Sequence, residues 1–186
     1  MSARFAIALA ASLSLLAACE TTVETSDGRR MPPPPHASPQ TPTAAPINAM
    51  ALVFGPKPLD TNGNMRPDTI QIEAYLFSRP YPSPMHREGT FEFDIYRVGG
   101  LGRPGEKPLR TWTISAERLA GMRGKSMIGP SYSIGLSLLE DGGTDQIGEQ
   151  SVDLIAYFTE AGGTDRIPSL GVRTISLSSP VVEPGH

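Results

Sequence analysis

Ser131-Tyr132-Ser133-Ile134-Gly135-Leu136-Ser137-Leu138 decides the fold. Tyr132, Ile134, Leu136 and Leu138 occupy every second position, with only serine or glycine between them. A strand turns alternate side chains to opposite faces, whereas a helix would scatter these four around its circumference. The stretch is expected to be a strand with one face in a core. The same period governs Ile70, Ile72, Ala74 and Leu76, then Phe91, Phe93 and Ile95, then Val152, Leu154, Ala156 and Phe158.

Residues 50–54, 109–114 with the only tryptophan, Trp112, and 172–177 complete a set of seven strands. Short alternating strands separated by Gly, Pro and Asn turns predict an all-β domain, a seven-stranded antiparallel immunoglobulin-like β-sandwich over residues 48–179. One short helix is expected at 115–120, where Ser115 can cap, Glu117 faces the positive end and Gly121 can close the last turn. In such a sandwich successive loops alternate between two poles. Loops 55–68, 98–107 and 140–150 are expected at one pole, and loops 79–89, 115–130 and 159–169 at the other.

The N-terminus is different in kind. Arg4 is the only charge before Glu20, and about a dozen apolar residues follow it. That matches the core of a signal peptide and falls short of the roughly 20 residues a membrane-spanning helix needs. Leu16-Ala17-Ala18-Cys19 closely resembles the lipobox of bacterial lipoproteins. The resemblance implies cleavage of residues 1–18, a diacylglycerol on the Cys19 thiol and an acyl chain, palmitate for example, on its new amine. Several acyl chains anchor stably where one does not. Cys19 is also the only cysteine, so no intramolecular disulfide is available. Glu20 stands where an aspartate retains such proteins at the inner membrane, which leans the expected location toward the outer membrane of the cell envelope.

Residues 19–47 carry Met31-Pro32-Pro33-Pro34-Pro35 and prolines 39, 42 and 46, with almost no large apolar side chain. The composition predicts a disordered stalk, extended by polyproline segments, and residues 180–186 a frayed tail. Loss of Arg4 with the leader leaves 15 basic and 19 acidic side chains. That balance disfavours nucleic-acid binding, which normally demands a basic domain.

Asp60-Thr61-Asn62-Gly63-Asn64-Met65-Arg66-Pro67-Asp68 places side-chain oxygens at positions 1, 3, 5 and 9 of a loop, the spacing on which a hard cation is wrapped. It resembles the calcium loops of dockerin modules and thrombospondin type 3 repeats over these nine residues. The resemblance implies calcium ligands from the side chains of Asp60, Asn62 and Asn64, the backbone carbonyl of Arg66, and a direct or water-mediated contact from Asp68. Met65 stands where an EF-hand has its glycine and Gln71 where it has its bidentate glutamate, and two amides replace carboxylates. A weak site or an ordinary turn is what those departures allow.

Other motifs carry less. Residues 140–147 and 160–167 share six identities in eight, yet the loops holding them belong to opposite poles. Gly100, Gly102 and Gly105 have dinucleotide-loop spacing, but Pro104 and a following strand deny the helix that spacing requires. Gly124-Lys125-Ser126 echoes the end of a phosphate loop without its first glycine. His86 is the only histidine inside the domain, with no partner pair or nucleophile elbow beside it.

Tyr96 and Tyr157, with Tyr75, Phe77 and Ile155, lie out of phase with the apolar stripes, so they are expected on outer faces. If the third and sixth strands pair, Tyr96 and Tyr157 share a platform suited to a protein or glycan partner. The sequence thus predicts a non-enzymatic envelope lipoprotein displaying a binding module. The alternatives are an envelope hydrolase using loop carboxylates or His86, and a structural tether or assembly factor.

Overall fold

The computed structural model describes residues 39–177. The leader, Cys19, the stalk up to residue 38 and the tail from residue 178 lie outside the described residues.

The elements in chain order are β1 (Ala49–Phe54), β2 (Thr69–Phe77), β3 (Gly89–Arg97), β4 (Arg110–Ile114), α1 (Ala116–Ala120), β5 (Arg123–Lys125), β6 (Pro130–Ser137), a 3-10 turn (Glu140–Gly142), β7 (Ser151–Glu160), β8 (Arg166–Pro168) and β9 (Arg173–Ser176). One sheet runs β1-β2-β6-β5. The other runs β4-β3-β7, and the far edge of β7 is shared by β8 along Tyr157–Thr159 and β9 along Ser151–Leu154. The named strands pair antiparallel throughout.

All seven expected strands are present, and β5 and β8 are additional. Each of these two has three residues, Arg-Gly-Lys and Arg-Ile-Pro, too few for a period of two to register. The third and sixth expected strands do pair, in continuous register from Gly89↔Glu160 to Arg97↔Val152. Relative to an immunoglobulin constant-type order, the fourth strand has moved beside the third.

The alternating stripes meet between the sheets. Ile70, Ile72, Ala74, Leu76, Tyr132, Ile134 and Leu136 face Phe91, Phe93, Ile95, Val152, Leu154, Ala156 and Phe158, all buried. Phe91 sits at the aromatic centre, its ring centroid 5.0 Å from Phe158, 5.6 Å from Tyr132 and 5.7 Å from Phe93. Burying a side chain of this size stabilises by about 1.5–3 kcal/mol, and offset or edge contacts between rings add to it. Trp112 reaches from β4 to donate its indole N–H to the Ser137 carbonyl of the opposite sheet at 2.8 Å.

The helix begins and ends where the sequence places its caps. The Ser115 hydroxyl accepts from the Arg118 N–H, the Gly121 N–H returns to the Arg118 carbonyl, and Leu119 is buried on the inner side. The chain is tied to the sandwich before residue 48: Thr41 donates to the Ser83 carbonyl at 3.3 Å, Arg87 donates to the Ala45 carbonyl at 2.5 Å, and Ile47 is in the core. Ile47 is one apolar residue in a proline-rich run, too little signal to move a boundary read from composition.

Candidate functional site

The loop between β1 and β2 is organised by its own acids. Asp60 accepts from the N–H groups of Gly63 (2.7 Å), Asn64 (3.2 Å) and Met65 (2.7 Å). Asn62 Oδ1 accepts from Asn64 N–H at 3.0 Å, and Asn64 Oδ1 from Arg66 N–H at 2.8 Å. Met65 takes a positive φ of 65°, the sharp-turn conformation for which an EF-hand uses glycine. Asp68 is fully buried, and its carboxylate accepts from Thr61 N–H (2.8 Å), Thr61 Oγ1 (2.7 Å), Thr69 Oγ1 (2.6 Å) and Asn62 N–H (3.3 Å). Burial pulls the Asp68 carboxyl upward, and the bonds from Thr69, Thr61 and Asn62 outweigh it, so its pKa lies below the ordinary aspartate value. Asp68 therefore closes the loop from inside.

A residue from another loop joins this group. Asn62 and Asn64 both donate side-chain N–H to Asp145 Oδ2, at 3.4 and 2.5 Å. Loops 55–68 and 140–150 share a pole, and Arg97 bonds Glu149 there at 3.0 Å. At the other pole Ala161 N–H donates to the Glu88 carbonyl at 2.9 Å, so the two Glu-x-Gly-Gly-Thr-Asp copies are at opposite ends. Among the described residues no group of three or more His, Cys, Asp or Glu side chains is disposed to hold a metal ion.

The outer face of β3 and β7 carries the two tyrosines. Tyr96 and Tyr157 are half-buried, in register with Asp153 and Glu92 respectively. Arg166 of β8 lies over the Tyr157 ring, 3.6 Å from its centroid, pairs with Glu92 and comes within 3.7 Å of Asp94. Asp94 accepts from Thr111 Oγ1 at 2.6 Å; Asp153 accepts from Thr174 Oγ1 at 2.6 Å and Gly99 N–H at 2.7 Å. Burial raises the Tyr96 phenol above its ordinary pKa, and the Asp94 charge pushes the same way. Tyr75 is not exposed as expected. It is buried to 4 % exposure on the outer side of β2, where its hydroxyl bonds Ser126 at 2.9 Å beneath the β5–β6 turn.

His86 is engaged structurally. Its Nε2 lies 3.0 Å from the Gly124 carbonyl and 2.9 Å from the Ser131 carbonyl, so it serves as a donor to two backbone acceptors, and its ring packs edge-on against Tyr132. Residues 100–105 form turns between β3 and β4, and Gly124 to Ser126 lie on β5 and its turn, so neither opens a helix.

The feature that sequence reasoning missed is a groove of about 430 Å³ along the free edge of β1, lined by Leu52, Phe54, Leu154, Leu170, Val172 and Arg173 among others. Val53, Leu170 and Val172 are 48 %, 64 % and 46 % exposed. The Met50 carbonyl accepts from Leu170 N–H at 3.1 Å in a single parallel bridge, after which the two segments part. Gly55 N–H bonds the Gln71 carbonyl, and the register carries that pattern back through Val53 and Ala51. The intervening Leu52 and Phe54 therefore turn their backbone groups outward, toward the groove. The sequence signal was the apolar pair Leu170 and Val172 around Gly171, outside the period of β9.

The chain matches no protein-family model, no curated protein and no solved structure.

Proposed function

We propose that this chain is an envelope lipoprotein, anchored through acylated Cys19, whose sandwich is a non-enzymatic binding module for an extended segment of a partner protein. The observation that carries the reading is the β1 edge. Outward-facing backbone groups at Leu52 and Phe54, beside a groove of mixed polarity that carries Leu170 and Val172, combine the two elements of strand addition: main-chain bonds for affinity and side-chain pockets for specificity. The Tyr96/Tyr157 platform is the weaker surface for a partner, because Arg166 already occupies the face of Tyr157. His86 Nε2 is engaged by two backbone carbonyls, which favours a structural role for that ring over the one a hydrolase reading would give it.

Site-specific photocrosslinking in intact cells tests this. A crosslinker in place of Val53 or Val172 should capture a discrete partner, and Leu170→Asp should abolish the capture. Crosslinks arising only at Tyr96 and Tyr157 would transfer the function to that face and reopen a glycan ligand.

A second reading applies to the loop. Met65 already adopts the sharp turn, and Asp145 already faces Asn62 and Asn64. We infer a weak calcium site formed by Asp60, Asn62, Asn64, the Arg66 carbonyl and Asp145. Asp68, which the resemblance made a direct or water-mediated ligand, acts here from behind as the loop's brace. Thermal unfolding of the full chain should rise at millimolar calcium and not with Asp145→Ala; an unchanged transition would leave a self-bonded turn.

A further inference from the structure

The turn between β5 and β6 carries Met127 fully exposed and Ile128 57 % exposed. It is held in place. Ser126 N–H bonds the Gly129 carbonyl at 2.9 Å, Ile128 N–H bonds Ser126 Oγ at 3.1 Å, and the Tyr75 hydroxyl bonds the same Oγ from below. Gly129, at φ 138°, lies against the Pro84 ring, where any Cβ would come within 2.9 Å of Pro84 Cγ. A braced turn that presents two large apolar side chains to solvent gains nothing from them within its own fold.

Two further features surround this tip. Arg118, Arg123 and Lys125 are the only charged residues between Glu117 and Glu140, and Arg123 and Lys125 flank the turn. The described chain also comes in at this end: Thr41 bonds the Ser83 carbonyl, next to the Pro84 that packs on Gly129. An apolar point with a basic collar, beside the linker, has the chemistry of a contact with an anionic bilayer.

We propose that the β5–β6 turn is a membrane-contacting tip, with Met127 and Ile128 seated in the interfacial region of an anionic leaflet and Arg123 and Lys125 at its headgroup phosphates. Two apolar side chains bind a bilayer weakly alone, and each adjacent basic residue strengthens the contact about fivefold. The proposal rests on the lipid-anchor reading for the remainder. A tether converts a weak contact into an intramolecular one at an effective concentration of order millimolar. The 22 steps from Cys19 to Thr41 can extend at most about 80 Å, and any shorter end-to-end distance lets the tip reach the surface. The sandwich then lies on the membrane and turns its opposite pole outward.

The test uses the full acylated chain with Met127→Trp, reconstituted into vesicles of phosphatidylethanolamine and phosphatidylglycerol carrying brominated acyl chains. The introduced indole should lose at least half its emission to bromine, while buried Trp112 in the parent chain stays unquenched. Replacing phosphatidylglycerol by phosphatidylcholine, or adding Lys125→Glu, should restore most of the emission. A chain that floats with the vesicles but keeps full emission overturns the tip and leaves the anchor standing. A chain left in the aqueous phase overturns both. Quenching that persists in a chain lacking residues 1–19, which has neither leader nor acyl anchor, supports the tip and removes the anchor from the argument.

Discussion

The guanidinium of Arg166 lies over the ring of Tyr157, its central carbon 3.6 Å from the centroid, and reaches Glu92 and Asp94 on the next strand. A half-exposed cation–π pair of this kind stabilises by about 0.5–1 kcal/mol. Arg166→Ala should therefore lower stability by no more than about 1 kcal/mol while opening Tyr157 to chemical nitration, read by mass spectrometry. The same change removes a cation that holds the Tyr96 phenol down, so Tyr96 should ionise at still higher pH in ultraviolet titration. Because the folded-state pKa of Tyr96 is raised, its contribution is intact below the unfolded value of about 10. It fades as pH climbs through the folded one.

Asp68→Asn should destabilise the sandwich by about 1–3 kcal/mol, since an amide cannot accept all four of the charged carboxylate's bonds. The pH dependence has a definite sign. Asp68 has a depressed folded-state pKa, so its stabilisation is complete above the unfolded value near 3.9 and is lost as pH falls through the folded one. Denaturant melts of parent and Asp68→Asn chains should converge in strong acid.

Trp112→Phe removes the indole N–H that satisfies the Ser137 carbonyl and leaves unfilled volume beneath β4. The expected cost is about 2–4 kcal/mol from the orphaned carbonyl and the cavity together. Trp112 being the only tryptophan, chemical denaturation of the variant is followed by circular dichroism.

Gly89→Ala should be among the most damaging single-methyl additions. Its Cβ would fall 2.3 Å from the Thr159 carbonyl oxygen and 2.5 Å from Phe158 Cζ, at the first pair of the β3–β7 ladder. Overpacking of this kind costs about 1–3 kcal/mol or more, so the melting temperature should fall by several degrees or the chain should accumulate poorly.

The fold was legible wherever alternation ran long enough to count. Ile70 to Leu76, Phe91 to Ile95, Tyr132 to Leu138 and Val152 to Phe158 each declare an inner face locally, and alternating connections then follow from antiparallel pairing. β5 and β8 were illegible because a three-residue strand has no period. The surfaces were harder. Tyr157 is legible as an outward side chain, but Arg166 covering it is set by the β7–β8 hairpin and by Glu92, 74 positions away. Asp145 meeting Asn62 and Asn64 depends on contacts across more than 80 positions, which only the pole geometry hinted at. The β1 groove lies between two strand edges that no local pattern connects.

The segment from Pro168 to Gly171 acts as a seam. The Ser169 hydroxyl takes the Ala156 N–H of β7 at 3.2 Å, and its own N–H bonds the Ala156 carbonyl at 2.8 Å. One residue later, Leu170 bonds the Met50 carbonyl of β1, on the other sheet. The groove therefore has a closed inner end. A partner strand added as proposed would advance about 3.4 Å per residue from the Gly55 end and meet the Leu170–Met50 bond, which leaves Leu52 to Phe54 for pairing. The seam shortens the open part of this β-edge to Leu52–Phe54, and so short an edge gives open-ended self-association little to pair with.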